Sequence, residues 1–380
     1  MKPEKIIKRI VAESGMPGLL ETLSAMSPTD LHSLLLDVYQ RRISRISVRQ
    51  VYEWAEKSRF TPPCKIDQRL LAEFDHLAYQ ILPEDFSAIE LSPLAPFGLN
   101  GTLAKISQKN VLSTSRNLEI SADPTSSLAL VCAKERSKRL ATNSQDSDNV
   151  QFSTSHRVTR QQRFEEIDGF SPHFKTFCLA TAGRDTGSER FEKKSIIEHL
   201  SFYLSLMENL VASGKYAVSN VTVAISDIRI IETLVGLLDM DRAELGRNTQ
   251  NRSYSAFDKY RVNLLKCVKS ISELDSEIIT GYGLGRAVEL LGIAERDIVA
   301  PLRKTFPHVS FVFDLERIAG IGYYTTLCFK VSAETSSGTK FPLVDGGMSD
   351  WTQKILSSKK ERALFSGIGS ELLCGMFRIA

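Results

Sequence analysis

The chain has 380 residues, more than the roughly 100–200 of an ordinary domain, so one large domain or two smaller ones is expected. Hydrophobic residues at 42% and charged residues at 24% suit a folded protein with a real core and exclude a disordered chain, a collagen and a coiled coil. With Lys+Arg at 48 against Asp+Glu at 45, the net charge is only +3, which gives no argument for bulk nucleic-acid binding.

The first part of the chain reads as helices. Ser27-Pro28-Thr29-Asp30 is a helix start, with Ser27 as cap, Pro28 in the first turn and Asp30 at the positive end. Leu31, Leu34, Leu35 and Val38 then follow at helical spacing. Ser47 opens another helix that stops before Pro62-Pro63, and Asp67 opens a third that Pro83 ends. From about residue 88 strands and helices alternate. Val111–Thr114 and Leu118–Ile120 read as a hairpin, Asp123-Pro124 caps a helix, and residues 152–164 alternate as a strand. Phe174, Phe177 and Leu179 belong to the next strand. A polar joint at Thr181–Gly187 leads to a long helix from Phe191 to Val211, closed by Gly214. Val221–Ile225 is a strand, residues 228–306 are mostly helical, and strands return at Val309–Phe313, Tyr323–Val331 and Leu343-Val344. Gly281-Tyr282-Gly283-Leu284-Gly285 lacks a preceding strand and reads as a turn before a helix. The expected fold is α+β: an antiparallel sheet flanked by helices over residues 89–380, with a helical insertion at 228–306 and a helical module at 1–88 in front.

No run of about 18 apolar residues is present, so no membrane span is expected. Met1-Lys2-Pro3-Glu4-Lys5 leads into no signal-peptide core. Cys64, Cys132, Cys178, Cys267, Cys328 and Cys374 are scattered, which is neither disulfide nor zinc spacing. The histidines show no ligand spacing either. The expectation is a cytoplasmic protein with reduced thiols and no metal centre. The basic cluster Arg41, Arg42, Arg45 and Arg49 reads as a solvated helix end.

Four segments occur in an order that carries more information. The first runs from Asn110-Val111-Leu112-Ser113 to Asp123-Pro124-Thr125. The second is Arg163-Phe164-Glu165, then a loop, then His173-Phe174-Lys175-Thr176-Phe177. The third is Asp314-Leu315-Glu316-Arg317-Ile318-Ala319-Gly320-Ile321-Gly322-Tyr323-Tyr324-Thr325. The fourth is Asp345-Gly346-Gly347-Met348-Ser349-Asp350, with Gly367-Ile368-Gly369-Ser370-Glu371-Leu372 behind it. Together they resemble the core of class II aminoacyl-tRNA synthetases, in particular histidyl-tRNA synthetase and the non-aminoacylating regulatory subunit of ATP phosphoribosyltransferase. The third segment with its Gly-Gly partner is the specific part.

The resemblance implies a ligand site made of Arg163, Glu165, Lys175, Arg317, Tyr323, Tyr324, Gly346 and Gly347. Arg163 would meet the α-phosphate of ATP and Glu165 the adenine amine. The glycines would admit close backbone approach, and of the two tyrosines on their strand only one would face the pocket. Adenylate formation needs fixed cations against phosphate oxygens, and here the sequence departs from the pattern. Ala319 stands at an arginine position, Met348-Ser349 replace Arg-Tyr, Leu372 follows Glu371 where the third motif ends in arginine, and Ala122 precedes Asp123 without the turn's leading arginine. The third-motif segment is also followed by no anticodon-binding domain, so tRNA is not the expected substrate. The expected function is a non-aminoacylating regulatory or ligand-binding homodimer that senses an amino acid or nucleotide, with a protein partner on its N-terminal helices. The alternative is an adenylate-forming ligase for a small carboxylic acid, using ATP and Mg²⁺.

Overall fold

The computed structural model describes residues 3–114, 117–161, 170–249, 251 and 253–379. Helices α1 (Pro3–Ser14), α2 (Leu19–Ala25), α3 (Pro28–Ile43), α4 (Val48–Lys57) and α5 (Gln68–Gln80) come first. Their starts follow the local chemistry. Ser27 Oγ accepts the Asp30 amide at 3.1 Å, and Asp67 accepts the Arg69 amide at 2.9 Å. Ser47 and Gln50 form a reciprocal capping box.

The rest of the chain is α+β. In order come β1 (Ser87–Ala88), β2 (Leu94–Pro96), α6 (Leu99–Thr102), β3 (Leu118–Ile120), α7 (Pro124–Thr142), β4 (Val150–Thr159), β5 (His173–Arg184), α8 (Arg190–Ala212) and β6 (Ser219–Asp227). A mostly helical stretch follows: α9 (Arg229–Leu237), α10 (Arg242–Arg247), α11 (Ala256–Lys259), β7 (Cys267–Val268), α12 (Ser276–Gly281), α13 (Gly285–Ala294) and α14 (Ala300–Thr305). A π-turn at Glu295–Val299 joins α13 to α14. Pro301 sits just beyond it, and a proline's missing N–H and ring clash explain the widened turn. The chain closes with β8 (Ser310–Asp314), β9 (Leu327–Glu334), β10 (Lys340–Ser349), α15 (Trp351–Leu356), β11 (Glu361–Ile368) and α16 (Ser370–Met376).

Nine strands form one sheet in the order β1-β4-β5-β11-β10-β9-β6-β8-β7, with β2 and β3 as a separate pair. The six consecutive strands from β4 to β6 are antiparallel neighbours. The expected antiparallel sheet is therefore its centre, while β1 joins β4 and β8 joins β6 in parallel. Side-chain alternation separates two layers. On one face Phe177 stacks on Phe202 of α8 at 5.5 Å and meets Tyr79 of α5 at 5.1 Å. On the other, Ala180, Phe365 and Trp351 pack with Leu128 and Cys132 of α7. α5 belongs to the first layer, with Leu71, Phe74 and Ala78 buried.

Local patterns misread several boundaries. Val111–Thr114 forms no strand of its own, but it does lie antiparallel to Leu118–Ile120 as expected: the Thr114 amide donates to the Leu118 carbonyl and the Ile120 amide to the Leu112 carbonyl, both at 2.9 Å, around a bridge from Ser113 to Glu119, and β3 pairs with β2 as well. The strand expected from Tyr323 begins at Leu327, because Gly320 and Gly322 hold a turn at φ +98° and +76°. Leu343-Val344 is the middle of the ten-residue β10. The joint expected at Thr181–Gly187 is strand as far as Arg184, where β11 pairs with it. Gly281–Gly285 is a turn between helices, as expected. Among the described residues no helix is long and apolar enough to cross a membrane.

Between sheet and α8 lies a buried polar link. His199 Nε2 is 2.9 Å from Thr181 Oγ1 and Nδ1 is 2.7 Å from Ser366 Oγ, which is also 2.9 Å from the Tyr203 hydroxyl. Burial pushes the His199 imidazole down to about 3 from its ordinary 6.5. The folded protein keeps it neutral, so its contribution to stability is complete above pH 6.5 and is lost as pH falls toward 3. The slope is at most about 1.4 kcal/mol per pH unit. Urea unfolding between pH 7 and pH 5 is expected to show a smaller loss in His199→Gln than in the parent chain. Equal losses in the two proteins would refute the assignment.

Candidate functional site

The turn between β8 and β9 delivers the two tyrosines. Both Tyr323 and Tyr324 donate their amides to the Gly320 carbonyl at 2.9 Å. The rings then meet edge to face at 4.9 Å, with Trp351 against Tyr323 at 4.8 Å and Phe365 stacked on Trp351 at 5.1 Å. Because they sit in a turn and not on the strand, both point inward. Each ends on a carboxylate. The Tyr323 hydroxyl donates to Asp123 Oδ2 at 2.7 Å and lies 2.5 Å from Thr125 Oγ1. Thr125 gives its own proton to Asp123 Oδ1 at 2.6 Å. The Tyr324 hydroxyl donates to Asp345. Burial first, and the neighbouring Asp123 and Asp345 second, raise both phenols well above their ordinary value, so both stay protonated donors.

Asp345 also receives Arg317. Nη2 reaches its two oxygens at 2.9 and 2.7 Å, and Nε donates to the Ala319 carbonyl at 2.9 Å. Burial is the largest single influence and works against the guanidinium charge, but Asp345 together with Cys328, Tyr324 and Asp314 outweighs it and the net shift is upward. The Arg317 side chain is 2% exposed, whereas that of Asp345 is 47% exposed. The solvent therefore sees the acid of this pair and not the base.

Gly346 and Gly347 lie inside β10 and separate to opposite faces of the sheet. A Cβ on Gly346 would stand 2.5 Å from Phe329 Cζ and 2.5 Å from Ser366 Cβ, in the α8 layer. One on Gly347 would stand 2.5 Å from Cys328 Cβ and 2.7 Å from Tyr324 Cδ1. What approaches these glycines closely is the protein's own side chains. Lys175 is on the α5–α8 face with Phe177, two residues along β5. It pairs with Asp75 of α5 beside a cleft of about 340 Å³ bounded by Tyr79, Glu90 and Ser155.

Arg317, Tyr323, Tyr324 and Gly347 thus share one cluster, while Lys175 and Gly346 stand on the far side of the sheet. Arg163 and Glu165 lie outside the described residues. The nearby cations are committed internally: Arg157 to Glu371 at 2.8 Å, and Arg160 Nε to the Ala122 carbonyl at 2.8 Å, with its guanidinium 5.4 Å over the Phe174 ring. Sequence reasoning took Asp123 for a helix cap, placed Asp345 in the fourth motif segment without a role in the site, and left Trp351 unremarked. Asp123 does cap α7, accepting the Thr125 amide at 3.0 Å, and its other oxygen serves Tyr323. The signal available was that both acids stand inside the motif segments. Among the described residues, no group of three or more His, Cys, Asp or Glu is placed to hold a metal. Chemically the cluster offers carboxylates and hydroxyls against an aromatic wall, a setting for an ammonium or hydroxyl-bearing ligand and a poor one for a triphosphate.

No protein-family model and no curated protein matches this sequence. Solved structures do. The chain is similar to an ATP phosphoribosyltransferase regulatory subunit/histidyl-tRNA synthetase from Bacillus halodurans, with 15% identity, a TM-score of 0.56, and coverage of 83% of this chain and 82% of that one. It is similar to a histidine–tRNA ligase subunit from Alicyclobacillus acidocaldarius, with 15% identity, a TM-score of 0.58, and coverage of 83% and 96%. A histidyl-tRNA synthetase from Nostoc matches at 14% identity and a TM-score of 0.58, over 83% of this chain and 73% of that one. The chain therefore has a class II synthetase-like core with the α+β fold of the histidyl group.

Proposed function

We propose that this protein is a non-aminoacylating relative of the histidyl group, a regulatory homodimer that binds an amino acid and activates none. It pairs through the first-motif region, acts in the cytoplasm, and uses a helical module at 1–88 to recruit a protein to the core at 89–380. The observation that carries the reading is the charge arrangement: Arg317 is neutralised by Asp345 and Lys175 by Asp75. Asp123, which accepts the Tyr323 hydroxyl and enters no ion pair among the described residues, is the acid that the tyrosine cluster offers a ligand. Phosphoryl chemistry needs the opposite, cations pointed at developing negative charge. An ammonium group is what a carboxylate with a polarised hydroxyl would hold, so an amino acid is favoured over a nucleotide.

The test is a thermal-shift screen of the purified protein against the twenty amino acids and ATP, run beside amino-acid-dependent pyrophosphate exchange. One or a few amino acids are expected to raise Tm, since binding to the folded state adds about 2.7 kcal/mol at a hundredfold excess over Kd. Asp123→Asn keeps the cap but removes the charge. It is expected to weaken that binding by about 1.5–3 kcal/mol, or roughly 10- to 150-fold. Exchange above background with any amino acid would overturn the reading and favour the ligase alternative, whose remaining support is the Arg163-Phe164-Glu165 segment.

A further inference from the structure

The N-terminal helices are built without a core. None of α2, α3 and α4 buries a residue. α2 and α4 have 7 and 10 residues, and isolated helices shorter than about 12–15 residues are marginal in water; α3 has 16 and still buries nothing. Apolar residues at helical spacing on such helices need a cover. On α3 these are Leu36, Tyr39 and Ile43, and on α4 they are Val48, Val51 and Tyr52, all exposed, with Ile43 at 60% and Val48 at 87%.

The charge on the same stretch says what kind of cover. Between Asp37 and Glu53 the sequence has Arg41, Arg42, Arg45 and Arg49 and no acidic residue. Arg41 and Arg49 reach Asp37 and Glu53 at 2.7 and 2.8 Å along their own helices, and exposed pairs of that kind contribute little. Arg42 and Arg45 have no carboxylate partner among the described residues. A bare polyanion would use the arginines and gain nothing from Ile43 and Val48. A neutral apolar surface would bury the aliphatic groups and leave the arginines uncompensated.

We propose that the α3–α4 corner docks an acidic amphipathic helix of another protein. Its apolar stripe would lie on Ile43, Val48, Val51 and Tyr52, and its flanking carboxylates would meet Arg42 and Arg45. This rests on the reading that the N-terminal helices recruit a protein and is independent of what the core binds.

The experiment uses the full chain and two synthetic peptides of about 18 residues, each with Leu at i, i+3, i+4 and i+7. One carries Glu at its flanks and the other Lys. Trp54 on α4 is 54% exposed and Trp351 is 1% exposed, so a change in tryptophan emission reports the corner. The Glu peptide is expected to give a saturable blue shift that weakens with salt. The double variant Arg42→Glu/Arg45→Glu should lose at least tenfold in affinity for it and gain the Lys peptide, with Tm unchanged. Val48→Asp should abolish both. Binding of the Lys peptide alone, or equal binding of the two, would overturn the acidic partner and leave protein recruitment standing. No binding of either, with a blue shift on phosphatidylserine vesicles or with self-association that Val48→Asp reverses, would overturn both.

Discussion

Replacing Glu361 with alanine is expected to cost about 3–5 kcal/mol of folding stability, because it takes the bidentate carboxylate from a buried guanidinium. Arg136 on α7 is 0% exposed and Glu361 on β11 is 1% exposed. Nε meets Glu361 Oε2 at 2.9 Å and Nη2 meets Oε1 at 3.2 Å, a bidentate pair. Nη1 donates to the Asp148 carbonyl at 2.9 Å and also to Asp146 Oδ1, and Nη2 donates to the Asp146 carbonyl at 3.0 Å. All five guanidinium protons are thereby satisfied. The alanine variant leaves two of them without an acceptor and takes one of the two carboxylates from the guanidinium, with only Asp146 remaining. Urea denaturation measures the loss, as a lower midpoint at unchanged slope. The double variant Arg136→Met/Glu361→Leu is expected to be less damaged than Glu361→Ala alone, since it removes the buried charge as well. A loss under about 1 kcal/mol in Glu361→Ala would contradict this account.

Gly320→Ala is the second large effect, and it tests the tyrosine cluster directly. Gly320 has φ +98°, and a Cβ there would lie 2.4 Å from Tyr324 Cδ2. That ring has little freedom to yield: its hydroxyl is held by Asp345, its amide by the Gly320 carbonyl, and Gly347 backs it from β10. Backbone strain of about 1–3 kcal/mol adds to overpacking of about 1–3 kcal/mol, so a total of about 2–6 kcal/mol is expected. Gly322→Ala separates the two terms. Gly322 also has positive φ, at +76°, but the nearest atom to its Cβ is Lys105 Cγ at 3.9 Å, so it bears the strain alone. Chemical denaturation of both variants, with near-ultraviolet circular dichroism to follow the aromatic rings, gives the comparison. Equal losses would mean that the Tyr324 contact contributes nothing.

The two variants mark where sequence reading stops. Helix starts at Ser27, Ser47, Asp67 and Asp123 were legible because a cap acts within two or three residues of itself. The layering was legible in outline, since apolar periodicity reports burial. The pairings were not. Tyr323 finds Asp123 across 200 positions, and Arg136 finds Glu361 across 225. Nothing beside Asp345 in the chain announces its partners: it lies in β10 between two flanking strands, and Arg317 and Tyr324 reach it from the turn before β9. The glycine pair beside it looked like one feature and is split by the pleat into two.

By itself, then, the sequence determined the α+β class, the order of the motif segments and the starts of the helices, all of which follow from propensity and periodicity over a few neighbouring residues. The tertiary structure decided which cations are already neutralised, which face of the sheet each motif residue takes, and which side chains fill the space over Gly347. Those outcomes depend on distance through space, where a carboxylate a few ångströms away outweighs anything adjacent in the chain.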